Sequence, residues 1–120
     1  MATPQGHRNL ATGNLGEDAA ARWYEAHGYA VLARNWRCPD GELDLIVARP
    51  GELVFCEVKT RASTRYGTPA EAVTPTKQRR LRRLATRYLA EAAPPGHRRT
   101  LRFDVASVLA GEVEIIEAAF

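Results

Sequence analysis

Leu53-Val54-Phe55-Cys56-Glu57-Val58-Lys59 is the stretch that decides the fold of this chain. Its apolar, β-branched and aromatic residues read as a strand of the core, and a strand turns successive side chains to opposite faces. Leu53, Phe55, Glu57 and Lys59 then share one face, and Val54, Cys56 and Val58 share the other. A carboxylate and an ammonium therefore stand side by side at the end of a strand that belongs inside. Buried charge is costly unless it is paired or bound to a metal, so Glu57 and Lys59 require an explanation.

The preceding segment supplies one. Glu42 to Ala48 also alternates, with Leu43, Leu45 and Val47 on one face and Glu42, Asp44 and Ile46 on the other. Arg49-Pro50-Gly51-Glu52 is a turn signal between the two strands. A hairpin centred on Pro50 and Gly51 sets Asp44 opposite Glu57, Glu42 opposite Lys59 and Ile46 opposite Phe55. Cross-strand neighbours have Cβ atoms about 4.5–5.5 Å apart. Two carboxylates at that distance repel unless a cation lies between them or one keeps its proton. Pro-Gly is not the favoured two-residue hairpin loop; a four-residue loop about the same centre keeps this pairing, and a bulge shifts it by one.

Outward from the hairpin, Asn14 to His27 reads as a helix, with Asn14 as its cap, Glu17 and Asp18 in the positive first turn and Gly28 at its end. Glu17, Ala20, Ala21, Tyr24 and His27 fall on its inward face, His27 as a partly buried cation near the C-terminus. Tyr29 to Arg37 has strand composition, followed by the turn Pro39-Asp40-Gly41. Arg61 to Pro75 is a long polar loop with a short helical turn about Ala70 to Val73, and loops of this length in small domains tend to be functional. Thr76 to Ala92 is a second helix with the apolar stripe Leu81, Leu84, Ala85, Tyr88 and Leu89 and an arginine face of Arg79, Arg80, Arg83 and Arg87. A strand over Leu101 to Val108 and a weaker one over Glu112 to Ala118 complete the chain.

With 120 residues, 45% of them hydrophobic, the chain suits one domain with one modest core, 14–120, behind a polar tail, 1–13. The tail lacks the apolar centre of a signal peptide, and no apolar run approaches the roughly 20 residues of a membrane helix. Two cysteines, Cys38 and Cys56, are too few for a disulfide scaffold. A reduced, cytoplasmic protein follows as the expectation. The net charge of +3 is unevenly spread: nine cations from Lys77 to Arg102 face a single acid, Glu91, whereas acids gather from Glu42 to Glu57. A basic segment beside an acidic centre suits a polyanion with a metal between them, although an arginine-rich helix face is also an ordinary solvated surface.

Asp44, Glu57 thirteen residues later, and then Lys59 have the spacing of the PD-(D/E)xK nuclease core. Gly41-Glu42-Leu43-Asp44-Leu45-Ile46 and Phe55-Cys56-Glu57-Val58-Lys59-Thr60-Arg61, with Tyr66-Gly67, Lys77 and Arg102-Phe103-Asp104-Val105, resemble the YraN-like family of small bacterial proteins over about Asn14 to Val108. That resemblance implies an α/β fold with a restriction endonuclease-like core, α-β-β-β-α-β, and a mixed central sheet flanked by helices. It also implies similarity to Holliday junction resolvases, in which a glutamine matching Gln78 lies near the catalytic lysine.

Phosphodiester hydrolysis needs an activated water and a neutralised transition state, and Mg²⁺ (or Mn²⁺) serves both with hard oxygen ligands. The expected ligands are the Asp44 and Glu57 carboxylates, the Val58 carbonyl, and Glu17 directly or through water. Lys59 would orient or deprotonate the water, or stabilise charge on the phosphate. Arg61, Tyr66, Lys77 and Gln78 are the expected contacts to nucleic acid. No proline precedes Asp44; Glu42-Leu43 does, and Glu42 is either a further ligand or the ion-pair partner of Lys59. Asp104 is expected to have a structural hydrogen-bonding role. The reading is a metal-dependent endonuclease-like protein acting on DNA, branched or damaged forms included. The surface is small for holding a duplex, which makes a homodimer or a partner protein reasonable. The alternatives are a non-catalytic nucleic-acid-binding module, an edge-of-sheet charge ladder without catalysis, and a scaffold whose basic helix binds an acidic partner.

Overall fold

The alternation at Leu53–Lys59 places its strand at the centre of a sheet covered on both faces. The computed structural model describes residues 12–61, 73–93 and 99–120, the side chains of 12–14 apart. Helix α1 (Thr12–Ala26) leads into β1 (Ala30–Cys38), β2 (Gly41–Arg49) and β3 (Glu52–Arg61); α2 (Pro75–Glu91) then precedes β4 (Thr100–Leu109) and β5 (Glu112–Ile116). The sheet order is β1-β2-β3-β4-β5. Only the β3–β4 pair is parallel, and a parallel pair needs a long crossover, here containing α2. The result is a mixed α/β fold compatible with the expected endonuclease-like core, with β5 added at its edge. No helix of the described residues is long and apolar enough to cross a membrane.

The two faces of β3 bury different helices. Leu53 and Phe55 join Leu81, Leu84 and Tyr88 beneath α2, whereas Val54 and Cys56 join Ala20, Ala21 and Tyr24 beneath α1. Fully burying a leucine, isoleucine or valine side chain contributes about 1.5–3 kcal/mol, so this central strand anchors both layers. Helix α2 starts cleanly: Thr74 caps it, accepting a bond from the Lys77 N–H, and Pro75 occupies the first turn, where it has no intrahelical bond to lose.

The hairpin turns on Pro50-Gly51 alone, with Arg49 paired to Glu52 and Gly51 at φ 82°. Glycine takes that left-handed conformation without a Cβ penalty, which makes the two-residue turn accessible despite the proline. The expected register holds at Ile46↔Phe55 and Leu45↔Cys56, and the β2–β3 ladder ends there. One step further, the Val58 N–H donates to Asp44 Oδ2 at 2.9 Å. Asp44 and Glu57 are thus neighbours where the strands diverge. Glu42 and Lys59 do not pair as expected: Glu42 lies 3.4 Å from Arg37 of β1, and Lys59 lies 3.8 Å from Glu57.

Strand β1, on the other side of β2, is irregular as well. A bulge lies between Val31 and Ala33, and Asn35 adopts φ 53° between the pairs Arg34↔Leu45 and Trp36↔Leu43. Such irregularities increase twist and re-aim side chains. Leu43 accordingly packs with Ile46 on the α2 side instead of with Leu45 and Val47 as strict alternation requires.

Helix α1 begins at Thr12, so Asn14 lies within it and is not its cap, and Glu17 and Asp18 fall in the second turn. Residues 1–11 of the expected tail lie outside the described residues. Ala20, Ala21, Tyr24 and Glu17 are buried as expected, but His27 is exposed. It stacks on Trp23 at 3.8 Å, because the helix ends at Ala26 and the chain turns away at Gly28.

Gly16 sets the approach of α1 to the sheet. A Cβ there would lie 2.5 Å from Thr60 Oγ1 and 3.5 Å from Val58 Cγ1. Gly16→Ala is therefore expected to destabilise the protein by about 1–2 kcal/mol, overpacking outweighing the helix preference for alanine. Adding Thr60→Ala should restore most of the loss in urea unfolding. A Gly16→Ala protein as stable as wild type would show that this contact yields freely.

Candidate carboxylate and lysine site

Where β2 and β3 diverge, the sheet gathers acids from three elements and lysines from two. Asp44 and Glu42 come from β2, Glu57 and Lys59 from β3, Glu17 from α1 and Lys77 from the first turn of α2. A cleft of about 340 Å³ opens here, lined by Glu42, Asp44, Glu57, Lys77 and Arg80 among others. Glu17 is not among its lining residues. It is 8% exposed, accepts a bond from Asn35 Nδ2 at 2.8 Å and lies 3.7 Å from Arg34.

The charges act on one another. The Asp44 carboxyl is pushed up to about 7, first by burial and then by the negative charge of Glu57; the bond from Val58 opposes this, and Glu17 and Glu42 reinforce it. Burial also raises Glu17, against the Asn35 bond and the Arg34 charge. Lys77 Nζ is 2.8 Å from Glu57 Oε2, closer than Lys59 at 3.8 Å. Lys59 is held below the ordinary lysine value by burial and by the adjacent Lys77, with Glu57 and Asp44 opposing. Lys77 is held above it: burial works against its charge, but its bonds to Glu57 and Lys59 and the nearby carboxylates prevail.

Glu42, Asp44, Glu57 and Lys77 share one cleft, with Lys59 joined to it through Glu57. A carboxyl titrating near neutrality and a lysine of reduced basicity are suited to moving protons. The oxygens are hard donors, and burial together with the neighbouring charge of Glu57 disfavours the bare Asp44 carboxylate, a cost that a divalent cation would offset. In kind and charge these residues fit Mg²⁺ or Mn²⁺. They are not drawn around a common point, however: among the described residues no three His, Cys, Asp or Glu side chains form a ready-made metal set. Glu57 turns to Lys77, Asp44 to the Val58 N–H and Glu17 to Asn35.

The remaining expected residues are dispersed. Arg61 ends β3. The Gln78 amide donates to the Val73 carbonyl at 3.1 Å, bracing the start of α2. Tyr66 lies outside the described residues. Two residues enter that sequence reasoning passes over. Arg80, assigned above to an outer helix face, lines the cleft. Asn35 holds Glu17, and its signal is present in the sequence, since asparagine tolerates the left-handed conformation a strand otherwise avoids.

Fold and site define a class of small α/β protein: a mixed five-stranded sheet between two helices, with acids and lysines at the open end of its central hairpin. Residues 16–108 match the uncharacterised protein family UPF0102, and the chain belongs to that family, the one its YraN-like motifs indicate. It is similar to a UPF0102 protein of Beutenbergia cavernae, 61% identical over 100 residues that cover 82% of each chain. A UPF0102 protein of Frankia casuarinae is 57% identical over 95 residues, 79% of each chain. One of Rhodococcus opacus is 48% identical over 117 residues, 93% of this chain and 98% of its own.

Proposed function

We propose that the protein is a metal-dependent endonuclease-like enzyme that hydrolyses phosphodiester bonds in DNA. The observation that supports this best is the Asp44–Glu57 pair, in which burial, and after it the charge of Glu57, lets Asp44 keep its proton near neutrality, in a cleft that Lys77 also lines. Asp44 and Glu57 would hold the cation with the Val58 carbonyl, and Glu17 would stand behind them. Bound Mg²⁺ or Mn²⁺ supplies Lewis acidity and an acidified water. Lys59, with its lowered basicity, orients or deprotonates the attacking water. Arg61, Lys77, Gln78 and Tyr66 are the residues for flanking phosphates and bases.

Calorimetric titration with Mg²⁺ or Mn²⁺ tests this reading. Wild type is expected to bind the ion and Asp44→Ala to lose it, and absence of binding by either protein sinks the proposal. Incubation of the metal-loaded protein with duplex, single-stranded and four-way-junction DNA then identifies the substrate form. A second reading, a nucleic-acid-binding module that keeps the fold without cleavage, is favoured by the engagement of Glu57 with Lys77. Salt-dependent DNA binding that is equal in wild type and Asp44→Ala and indifferent to metal would establish it.

A further inference from the structure

Glu57 is answered by two lysines, and the shorter contact comes from the other side of the cleft. Lys77 Nζ lies 2.8 Å from Glu57 Oε2, against 3.8 Å for Lys59 Nζ on the same strand. Lys77 is an unfavourable residue for its position. It is third in α2, after Pro75 and Thr76, and its backbone N–H is fixed by the Thr74 cap. The first turn of a helix is its positive end, where a cation is disfavoured, and this first turn contains no acid to offset it. Arg80, one turn further along α2, adds a second positive charge to the same cleft. The Lys77 ammonium is thus held by Glu57, while its backbone is fixed separately by the Thr74 cap.

We infer that Lys77 is the stand-in cation of this site. It neutralises Glu57 until a divalent cation takes that carboxylate, and its side chain then turns towards Arg80 at the mouth of the cleft. Two cations one helical turn apart suit a phosphodiester, so metal loading creates some of the grip on a nucleic-acid backbone. This accounts for acids that fit a metal in kind and charge and yet are not drawn around a common point. It rests on the metal reading above, but adds that Lys77 and the metal compete for one carboxylate, and that metal and polyanion binding reinforce each other.

Calorimetric titration with Mn²⁺ of wild type, Lys77→Met and Arg80→Met separates the two ideas. Lys77→Met is expected to bind Mn²⁺ about tenfold tighter than wild type, a coupling of ordinary size. Arg80→Met removes a charge from the same cleft and should change affinity by less than about twofold, since through-space effects there are screened. Thermal melts verify that each variant is folded. Lys77→Gln, equally uncharged, replaces the methionine variant if that one fails to fold. Wild type that binds Mn²⁺ while the Lys77 variants bind no tighter overturns the stand-in role and leaves the metal site intact. Equal tightening in Arg80→Met overturns it too, by reducing the effect to general charge. No binding by any of the proteins overturns both readings.

Discussion

Arg102→Met is expected to destabilise the protein by about 3–5 kcal/mol, the ordinary cost of stranding one partner of a buried ion pair. Asp104 on β4 is completely buried, and its two oxygens accept from Arg102 Nε at 2.9 Å and NH2 at 3.0 Å, from the Tyr24 hydroxyl at 2.6 Å and from the Ala118 N–H at 3.0 Å. Arg102 continues outward to the Tyr29 hydroxyl at 3.2 Å and Glu52 at 3.3 Å, which Tyr29 also bonds at 2.8 Å. One network thus ties α1, β3, β4 and the C-terminal segment, and among the described residues no buried polar side-chain atom lacks a partner. Methionine would fill the space of the arginine stem and leave Asp104 without its cation. For a domain of this size, whose whole stability is about 5–15 kcal/mol, the melting temperature should fall by roughly 10–20 °C. Asp104→Asn keeps one acceptor oxygen where Asp104 offers two, so it serves Ala118 or Tyr24 but not both; it should still cost less, because the Arg102 it leaves behind is partly exposed. The double variant should cost less than the sum of the two, the mark of a direct interaction. Urea unfolding of the four proteins measures this, and additive losses would show that the two side chains do not stabilise each other.

The sequence carries this network only incompletely. Asp104, between Phe103 and Val105 in a core strand, signals a buried acid that needs partners, and Arg102, two residues before it on the same face, is legible as one of them. Tyr24 is not, because it is 80 residues away and meets Asp104 only once α1 packs on the sheet. The same boundary runs through the candidate site. Period-two alternation and the Pro50-Gly51 turn suffice for β2, β3 and a register that holds at Leu45↔Cys56. They do not disclose that the strands diverge just beyond that pair, nor the bulge and the left-handed Asn35 of the neighbouring strand. Glu42 consequently goes to Arg37 and not to Lys59. Helical periodicity places Glu17 inward, but it does not locate the helix start, because Asn14 resembles a cap whereas the helix already runs from Thr12. Lys77 is legible as a cation near the site. That it lies on Glu57 follows from where α2 crosses the sheet, which is a tertiary fact with no local signature.

Asp44→Asn is expected to make the metal-free protein more stable at pH 8 by about 2–4 kcal/mol while leaving it nearly unchanged at pH 4. Burial and the charge of Glu57 push the folded Asp44 carboxyl up to about 7, against about 3.9 in an unfolded chain. Below pH 4 the group is protonated in both states and imposes no penalty. Between about pH 4 and 7 the unfolded chain has lost the proton that the folded protein keeps, so unfolding becomes progressively more favourable as pH rises. The slope approaches 1.4 kcal/mol per pH unit, which sets an upper limit of about 4 kcal/mol. Above pH 7 the folded carboxyl also ionises, and the loss stays constant. Asparagine has no such proton to lose, is nearly isosteric, and still offers an oxygen to the Val58 N–H that Asp44 accepts at 2.9 Å. Urea unfolding at pH 4, 6 and 8 should show wild type weakening as pH rises relative to the variant. Parallel curves for the two proteins would mean that Asp44 carries no such strain. Saturating Mn²⁺ at pH 8 completes the experiment: a cation that binds the folded state alone stabilises it by mass action. It should raise wild type and leave Asp44→Asn almost where it was, because a divalent cation offsets the cost of a buried Asp44 carboxylate beside Glu57, and asparagine carries no such charge.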